Sequence, residues 1–252
     1  MNDVYRLDGK LSLITGASRG IGAAVAKALA RQGSDVLLLA RDIQKLEAVA
    51  AEIKAMGRKA ATYQLDLSNS KQVNSFLQSE VKTLENLDNF ISNAAFSIFS
   101  SFMKSSMEDF DKLFTVNVKG AMLLAQKAAE YMVKRGQGNI TFITSINALS
   151  ALPSQTMYSS TKAMLESLMK SAAAELAGKG VRVNSVVPGA IKTDMNPHFT
   201  PEKIKEVEKM IPCGRVGESE EIADVVAFLC SDAARYMYGS SVVIDGGMLL
   251  RK

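Results

Sequence analysis

The sequence predicts an α/β protein built on a doubly wound parallel sheet, and three observations predict it. Short apolar runs alternate with helix-forming stretches along the 252 residues, the pattern of βαβ units with helices on both faces of a sheet. A glycine-rich turn, Gly16-x-x-x-Gly20-x-Gly22, separates the first apolar run from the first helical one. No repeat, low-complexity linker or shift of composition divides the chain, so one domain over residues 1–252 accounts for it.

The first element is the run from Leu11 to Thr15, suited to a strand buried on both faces. The glycine turn follows, and Ala23 to Gln32 reads as helix, with strong helix formers throughout and Gly33 at its end. Strand, glycine turn and helix together bring backbone N–H groups and a helix N-terminus up to a phosphate. The glycines permit a tight turn, a close approach of a pyrophosphate and close helix–sheet packing. The spacing is not the commoner G-x-G-x-x-G, and a merely tight connection would look the same.

The alternation then continues. Asp35 to Leu39 is a second buried strand, followed by Arg41 and a helix from Ile43 to Met56 that Gly57 ends. Ala60 to Leu65 is a third strand leading into Asp66-Leu67-Ser68, with a helix over Lys71 to Thr83. Leu87 to Ser92 is a fourth strand and leads into Asn93-Ala94-Ala95. Met107 to Arg135 reads as one longer helical region, Gly138 to Ile143 as a fifth strand, Ser154 to Ala177 as a long helix and Val181 to Val187 as a sixth strand. Pro188 to Gly217 looks irregular or partly helical, Glu220 to Cys230 is helix, Ser241 to Ile244 is the last strand, and Asp245-Gly246-Gly247 is a turn. Arg41, Asp66, Asn93 and Ser145 each follow a strand. In such a sheet ligands sit beyond the carboxyl ends of the strands at the switch point of strand order, so these four side chains should converge on one crevice.

Composition narrows the class. With 47% hydrophobic and 6% aromatic residues the core is mainly aliphatic. A net charge of +4 without a Lys/Arg run gives no basic face for nucleic acid. Cys213 and Cys230 have no metal spacing and suggest a reducing compartment. The N-terminus has no apolar signal core and no span is long enough to cross a membrane, so a soluble cytoplasmic protein is expected.

The chemistry is expected on the helix after the fifth strand. Tyr158 and Lys162 are four apart and share a helix face. A free tyrosine titrates near pH 10, and an adjacent ammonium favours the phenolate, which moves it towards a working range. Ser145, 13 residues before Tyr158, stands at a strand end where it can hydrogen-bond a substrate oxygen. Tyr and Lys at this spacing also occur by chance on amphipathic helices.

Thr15-Gly16-Ala17-Ser18-Arg19-Gly20-Ile21-Gly22, Asp66, Asn93-Ala94-Ala95, Asn117-Val118-Lys119-Gly120, Ser145, Tyr158-x-x-x-Lys162 and Pro188-Gly189-Ala190-Ile191-Lys192-Thr193 occur together and in order. On these the chain resembles the short-chain dehydrogenase/reductase family over essentially its whole length. The resemblance implies a Rossmann-type fold and an oxidoreductase that passes a hydride between a nicotinamide and a carbonyl or carbinol carbon. It makes Tyr158 the general acid/base and Ser145 the group that polarises the carbonyl. Lys162 would hold the nicotinamide ribose and lower the Tyr158 pKa, and Asn117 would anchor a proton-relay water. Gly16, Ser18, Arg19, Gly20, Ile21 and Gly22 would cradle the dinucleotide, with Asp66 and Leu67 at the adenine and Asn93 and Ala94 near the adenosine ribose. Pro188, Gly189, Ile191 and Thr193 would line the nicotinamide end. One departure is Ala95, where the family usually has glycine; its methyl should crowd the backbone approach slightly.

Cofactor and partner expectations follow. The second strand ends at Ala40, where an acidic residue would take ribose hydroxyls in an NAD-binding relative. Arg41 follows and Arg19 lies in the glycine turn, a pair that can clamp a 2′-phosphate, so NADP(H) is preferred. The alternative leaves both arginines solvated and puts Asp42 on the ribose, which keeps NAD(H) open. The substrate is a small carbonyl or alcohol, with better turnover expected on free ketones or diketones. Acyl-carrier-protein substrates are the alternative: Lys134-Arg135 matches one docking site, but Ala174 stands where a second would carry arginine. Sugar or steroid alcohols are further options. No metal is required. His198 reads as an exposed loop residue, and Met195 and Phe199 as parts of an apolar substrate lid. The resemblance also implies a homotetramer, for which Ala163, Met164, Leu165, Leu168, Met169, Ala172 and Ala173 leave the Tyr158 helix apolar on more than one side.

Overall fold

The computed structural model describes residues 3–150, 152–193 and 200–250. The strands are β1 (Leu11–Thr15), β2 (Asp35–Ala40), β3 (Ala60–Gln64), β4 (Asn89–Ser92), β5 (Gly138–Ile143), β6 (Val181–Pro188) and β7 (Ser241–Ile244). They form one parallel sheet in the order β3-β2-β1-β4-β5-β6-β7, which reverses between β1 and β4. The helices are α1 (Gly20–Arg31), α2 (Ile43–Ala55), α3 (Ser70–Ser79), α4 (Val81–Leu84), α5 (Met107–Phe114), α6 (Ala121–Arg135), α7 (Thr156–Leu176), α8 (Pro201–Glu208) and α9 (Ser219–Cys230).

Why the strands need apolar residues on both sides is visible in β1 and β2. Ile14, Val36 and Leu38 enter a core shared with α1, α2 and α9, while Leu13, Leu37 and Leu39 enter the opposite core, shared with α3, α6 and α7. The period-2 alternation of a strand distributes them, and each fully buried side chain of this size contributes about 1.5–3 kcal/mol. Alanines at 23, 24, 26, 28 and 30 keep α1 thin enough to lie against both the sheet and α9.

The amino ends of the strands are fastened by one carboxylate. Asp88, just before β4, accepts from the Leu11 N–H at 2.9 Å and from the Arg135 guanidinium at 2.8 Å. Arg135 also donates to the Leu87 carbonyl at 2.9 Å, closing the end of α6 onto the sheet.

Most bounds fall within two residues of expectation, and three helical regions differ further. Helix α1 begins at Gly20 rather than Ala23, so the last glycines of the turn form its first turn. The helix expected over Lys71 to Thr83 breaks at Glu80 into α3 and α4; there the Glu80 carboxylate accepts from Tyr63 at 2.8 Å and from Thr83 at 3.2 Å. The region from Met107 to Arg135 is not one α-helix: a π turn over Thr115–Gly120 separates α5 from α6. The stretch after β6 contains α8. Met195, His198 and Phe199 lie outside the described residues.

Candidate active site

At the carboxyl end of β1 the backbone turns through Gly16 at φ +68°. A Cβ there would lie 2.9 Å from both the Ala94 Cα and the Asn93 Nδ2. Asn93 uses that space: its side chain donates to the Thr15 carbonyl at 2.9 Å, and the N–H groups of Asn93 and Ala94 both donate to Thr15 Oγ1 at 3.0 Å. The start of α1 therefore packs directly on the end of β4. Thr193, beyond β6, closes the other side: a Cβ on Gly20 would lie 3.5 Å from Thr193 Cβ. Gly189 is held against the chain after β7, where a Cβ would meet the Asp245 Cα at 2.7 Å. Pro188 ends β6, and Ile191 is buried and bridged to Gly217.

These residues fit a dinucleotide. Helices α2, α3 and α5 have N-caps whose side chains accept from their own first turns, namely Asp42, Asn69 and Ser106. Helix α1 has no side-chain cap at Arg19, so its first N–H groups are left for an outside acceptor. A groove of about 620 Å³ runs along it, lined by Ser18, Arg19, Gly20, Lys45, Lys192 and Thr193 among others.

Arg41 follows β2 and is exposed, its carbonyl accepting from Gln64 at 3.0 Å. Asp42 accepts from the Lys45 N–H at 3.1 Å in capping α2. Asp66 accepts from both the N–H and the hydroxyl of Ser68 at 2.8 Å, and the buried Leu67 packs on Gly120, where a Cβ would meet it at 2.9 Å.

The residues expected to carry the chemistry gather beyond β5. Ser145 caps the short 3-10 turn Ile146–Ala148, its hydroxyl accepting from the Asn147 N–H at 3.2 Å. It also hydrogen-bonds Tyr158, which is buried on the first turn of α7. Lys162 lies one turn further on, buried, with its ammonium 5.7 Å from the Tyr158 ring centroid and donating to the Ile143 carbonyl at 2.9 Å. Asn117 is buried in the π turn and donates to Phe96 and Thr161.

The electrostatics differ from the simple expectation. Burial pushes the Tyr158 phenol up to about 12, against a downward pull from its hydrogen bond with Ser145. Burial also brings Lys162 down to about 8, opposed by the charge of Glu166. In this arrangement desolvation dominates at Tyr158 and favours the neutral phenol.

Residues 16–249 match the family model described as enoyl-(acyl carrier protein) reductase. The L-rhamnose 1-dehydrogenase (NAD(P)(+)) of Sphingomonas sp. strain SKA58 is 38% identical, covering 96% of this chain and 97% of that protein. The 3-oxoacyl-[acyl-carrier-protein] reductase FabG of Aquifex aeolicus is 36% identical, covering 96% and 98%. Among solved structures, a short-chain type dehydrogenase/reductase from Mycobacterium marinum superposes with a TM-score of 0.93 at 36% identity, covering 99% of both chains. The chain belongs to the short-chain dehydrogenase/reductase family. Its class is that of the NAD(P)-dependent oxidoreductases acting on CH–OH groups.

The structure brings together most of the residues that the sequence singles out for this family. Gly16, Gly20, Gly22, Asn93, Ala94 and Thr193 surround the start of α1, while Ser145, Tyr158 and Lys162 form one cluster. Ala95, in place of the family's glycine, does not take a positive φ, so its methyl costs no backbone strain. The Asn93 amide is spent on the glycine turn, donating to the Thr15 carbonyl at 2.9 Å and to the Gly16 carbonyl at 3.3 Å. The residue that sequence reasoning missed is Glu166. It lies one turn beyond Lys162 on the same face, and its carboxylate at that spacing was the available signal.

Proposed function

We propose that this protein is an NADPH-dependent carbonyl reductase acting on small free ketones or diketones, with the alcohol oxidation running over the same groups. The observation that carries this reading is the Ser145–Tyr158–Lys162 cluster at the carboxyl end of β5, facing the uncapped start of α1 across the switch point of the sheet. A bound nicotinamide dinucleotide supplies the hydride. Tyr158, kept neutral by burial, gives its phenolic proton to the carbonyl oxygen as negative charge develops there. The Ser145 hydroxyl donates to the same oxygen and polarises it before the transfer. Lys162 holds the ribose and supplies the positive field that makes the phenolate tolerable. The Asn117 carbonyl oxygen accepts one bond, from the Phe96 N–H at 3.0 Å, and keeps a lone pair for the relay water.

NADP(H) is favoured over NAD(H) because Ala40 carries no acid at the end of β2, Arg41 and Arg19 stand near the ribose end, and Asp42 is occupied in capping α2. Free ketones are favoured over carrier-bound chains because Arg135 is tied to Asp88 and Leu87, and Ala174 is an exposed neutral residue. The second reading, a carrier-bound 3-oxoacyl substrate, draws support from the Aquifex relative's name. The deciding experiment follows NADPH oxidation with acetoacetyl-carrier protein, free diketones and aldoses at matched concentration. A hundredfold advantage in kcat/KM for the carrier substrate, lost with rising salt, would replace the first reading by the second.

Assembly as a homotetramer completes the proposal. Leu165, Met169 and Ala173 on α7 are buried against the sheet, while Ala163 and Met164 on another side are exposed. Tyr236 and Leu250, near β7, are 96% and 83% exposed. Light scattering showing a monomer at micromolar concentration would remove this part. No helix among the described residues is long and apolar enough to cross a membrane, and a reducing, cytoplasmic setting suits two free thiols.

A further inference from the structure

The family roles use Asn117, Ser145, Tyr158 and Lys162 and leave unexplained a carboxylate buried behind them. Glu166 is 5% exposed. Thr144 Oγ1 lies 2.5 Å from its Oε1, and Ser241 Oγ lies 2.6 Å from its Oε2. O–H···O⁻ bonds to an ionised carboxylate have these lengths, and one donor for each oxygen fits a group that only accepts. A buried carboxylate is costly unless it is hydrogen-bonded and faces an opposite charge. Tyr158, Lys162 and Glu166 follow one another at four-residue intervals on a single face of α7. Lys162 donates to the Ile143 carbonyl, and none of the ion pairs among the described residues within 4.0 Å includes Glu166.

We propose that Glu166 is a positioning residue that acts through Lys162: its carboxylate, pinned by Thr144 and Ser241, keeps the Lys162 ammonium charged beside Tyr158. The proposal rests on the reading of Lys162 as the cation of the active site. The other groups facing this pair are mostly neutral. Helix α7 adds Tyr158 and Thr161, β5 and its extension add the Ile143 carbonyl, Thr144 and Ser145, β6 adds the Val186 carbonyl, β7 adds Ser241, and the π turn adds Asn117. Against the burial that drives Lys162 towards its neutral form, Glu166 is the charged side chain whose field opposes the loss. A neutral lysine would offer no field to the phenolate and only a weak hold on an anionic cofactor.

The test is Glu166→Gln, which keeps the shape and can still pair with both hydroxyls, alongside Glu166→Asp, which keeps the charge. The first readout needs no cofactor: the Lys162 side-chain NMR signal, assigned by its loss in Lys162→Arg, is followed against pH. Its midpoint should fall by roughly one unit in Glu166→Gln and stay within half a unit in Glu166→Asp. The second readout is NADPH affinity against pH. Glu166→Gln should bind about fivefold more weakly at pH 8 and nearly normally at pH 6, with Glu166→Asp close to wild type at both. If Glu166→Gln fails to fold, the triple change Thr144→Val, Glu166→Met, Ser241→Ala removes the anion and both donors together, so that nothing buried is left unpaired, and the same midpoint shift is expected. An unchanged Lys162 midpoint, with losses equal at all pH values, would make Glu166 a structural tie and overturn the proposal. Absence of dinucleotide binding by the wild type would instead overturn the functional reading, while the Lys162 titration still decides the role of Glu166.

Discussion

Asn117 and Phe96 are bonded in both directions: the Asn117 amide donates to the Phe96 carbonyl at 2.9 Å, and its oxygen accepts from the Phe96 N–H at 3.0 Å. The side chain thus replaces a strand neighbour for the segment that leaves β4. Asn117→Ala should leave both half-buried Phe96 backbone groups without these partners and cost about 1–3 kcal/mol, since water can reach them in part. Urea unfolding measures it, and a loss below 0.5 kcal/mol would mean that the pair contributes nothing.

Tyr158→Phe keeps the ring and removes the proton that the proposed chemistry needs. Turnover should fall at least ~10²-fold, the lower end for a general acid, with NADPH affinity within a few-fold of wild type. Retention of a tenth of the turnover would displace Tyr158 from that role.

Arg41→Ala should weaken NADPH binding about tenfold or more and leave NADH binding nearly unchanged, because a charge-assisted contact to the 2′-phosphate is what the change removes. Calorimetric titration of both cofactors checks it. Equal losses for both would return Arg41 to the solvated surface.

The pH dependence of cofactor binding follows from Lys162. Burial brings its pKa down from 10.5 to about 8, so the free protein loses this charge as pH rises through 8, and NADPH affinity should decline above that point. The unfolded chain keeps its lysine protonated until near 10.5. Between pH 8 and 10.5 the unfolded state therefore binds more protons, and the burial cost, fully present below pH 8, is relieved as pH rises. Fluorescence titration of NADPH from pH 6 to 9.5 tests the first statement, and Lys162→Arg should flatten the profile.

Gly22 carries the tightest packing of helix on turn. A Cβ there would lie 2.3 Å from the Gly16 carbonyl oxygen and 2.5 Å from Asn93 Nδ2. Gly22→Ala should destabilise by about 1–3 kcal/mol and damage cofactor binding. Gly178→Ala, where no atom lies within 4 Å of the new methyl, is the neutral comparison.

Much of this was legible because the inner strands β1, β2, β4, β5 and β6 are buried on both faces, whereas the edge strands β3 and β7 are only partly covered. Leu11–Thr15, Gly138–Ile143 and Ser241–Ile244 fall at their predicted bounds. The cluster of Ser145, Tyr158 and Lys162 could be read because helical spacing fixes two of the three. The π turn could not. Local propensity is continuous through Phe114-Thr115-Val116-Asn117, and the extra residue per turn answers to partners distant in sequence: Phe96, Thr161 and the approach of Leu67 to Gly120. Glu166 was hidden for a related reason. Its helix position was evident, but Ser241, 75 residues later, supplies the hydroxyl that gives the carboxylate its place.

The fastening of Asp88 to Leu11 and Arg135 lies at the amino ends of the strands, at the opposite rim from the residues proposed to handle a ligand. Folding strength and chemical taste are thereby written on opposite rims. Side-chain changes beyond β5 and β6 leave the ties of Asp88 to Leu11 and Arg135 in place. A chain so arranged can change the molecules it accepts through successive small edits, keeping one hydride-transfer apparatus throughout.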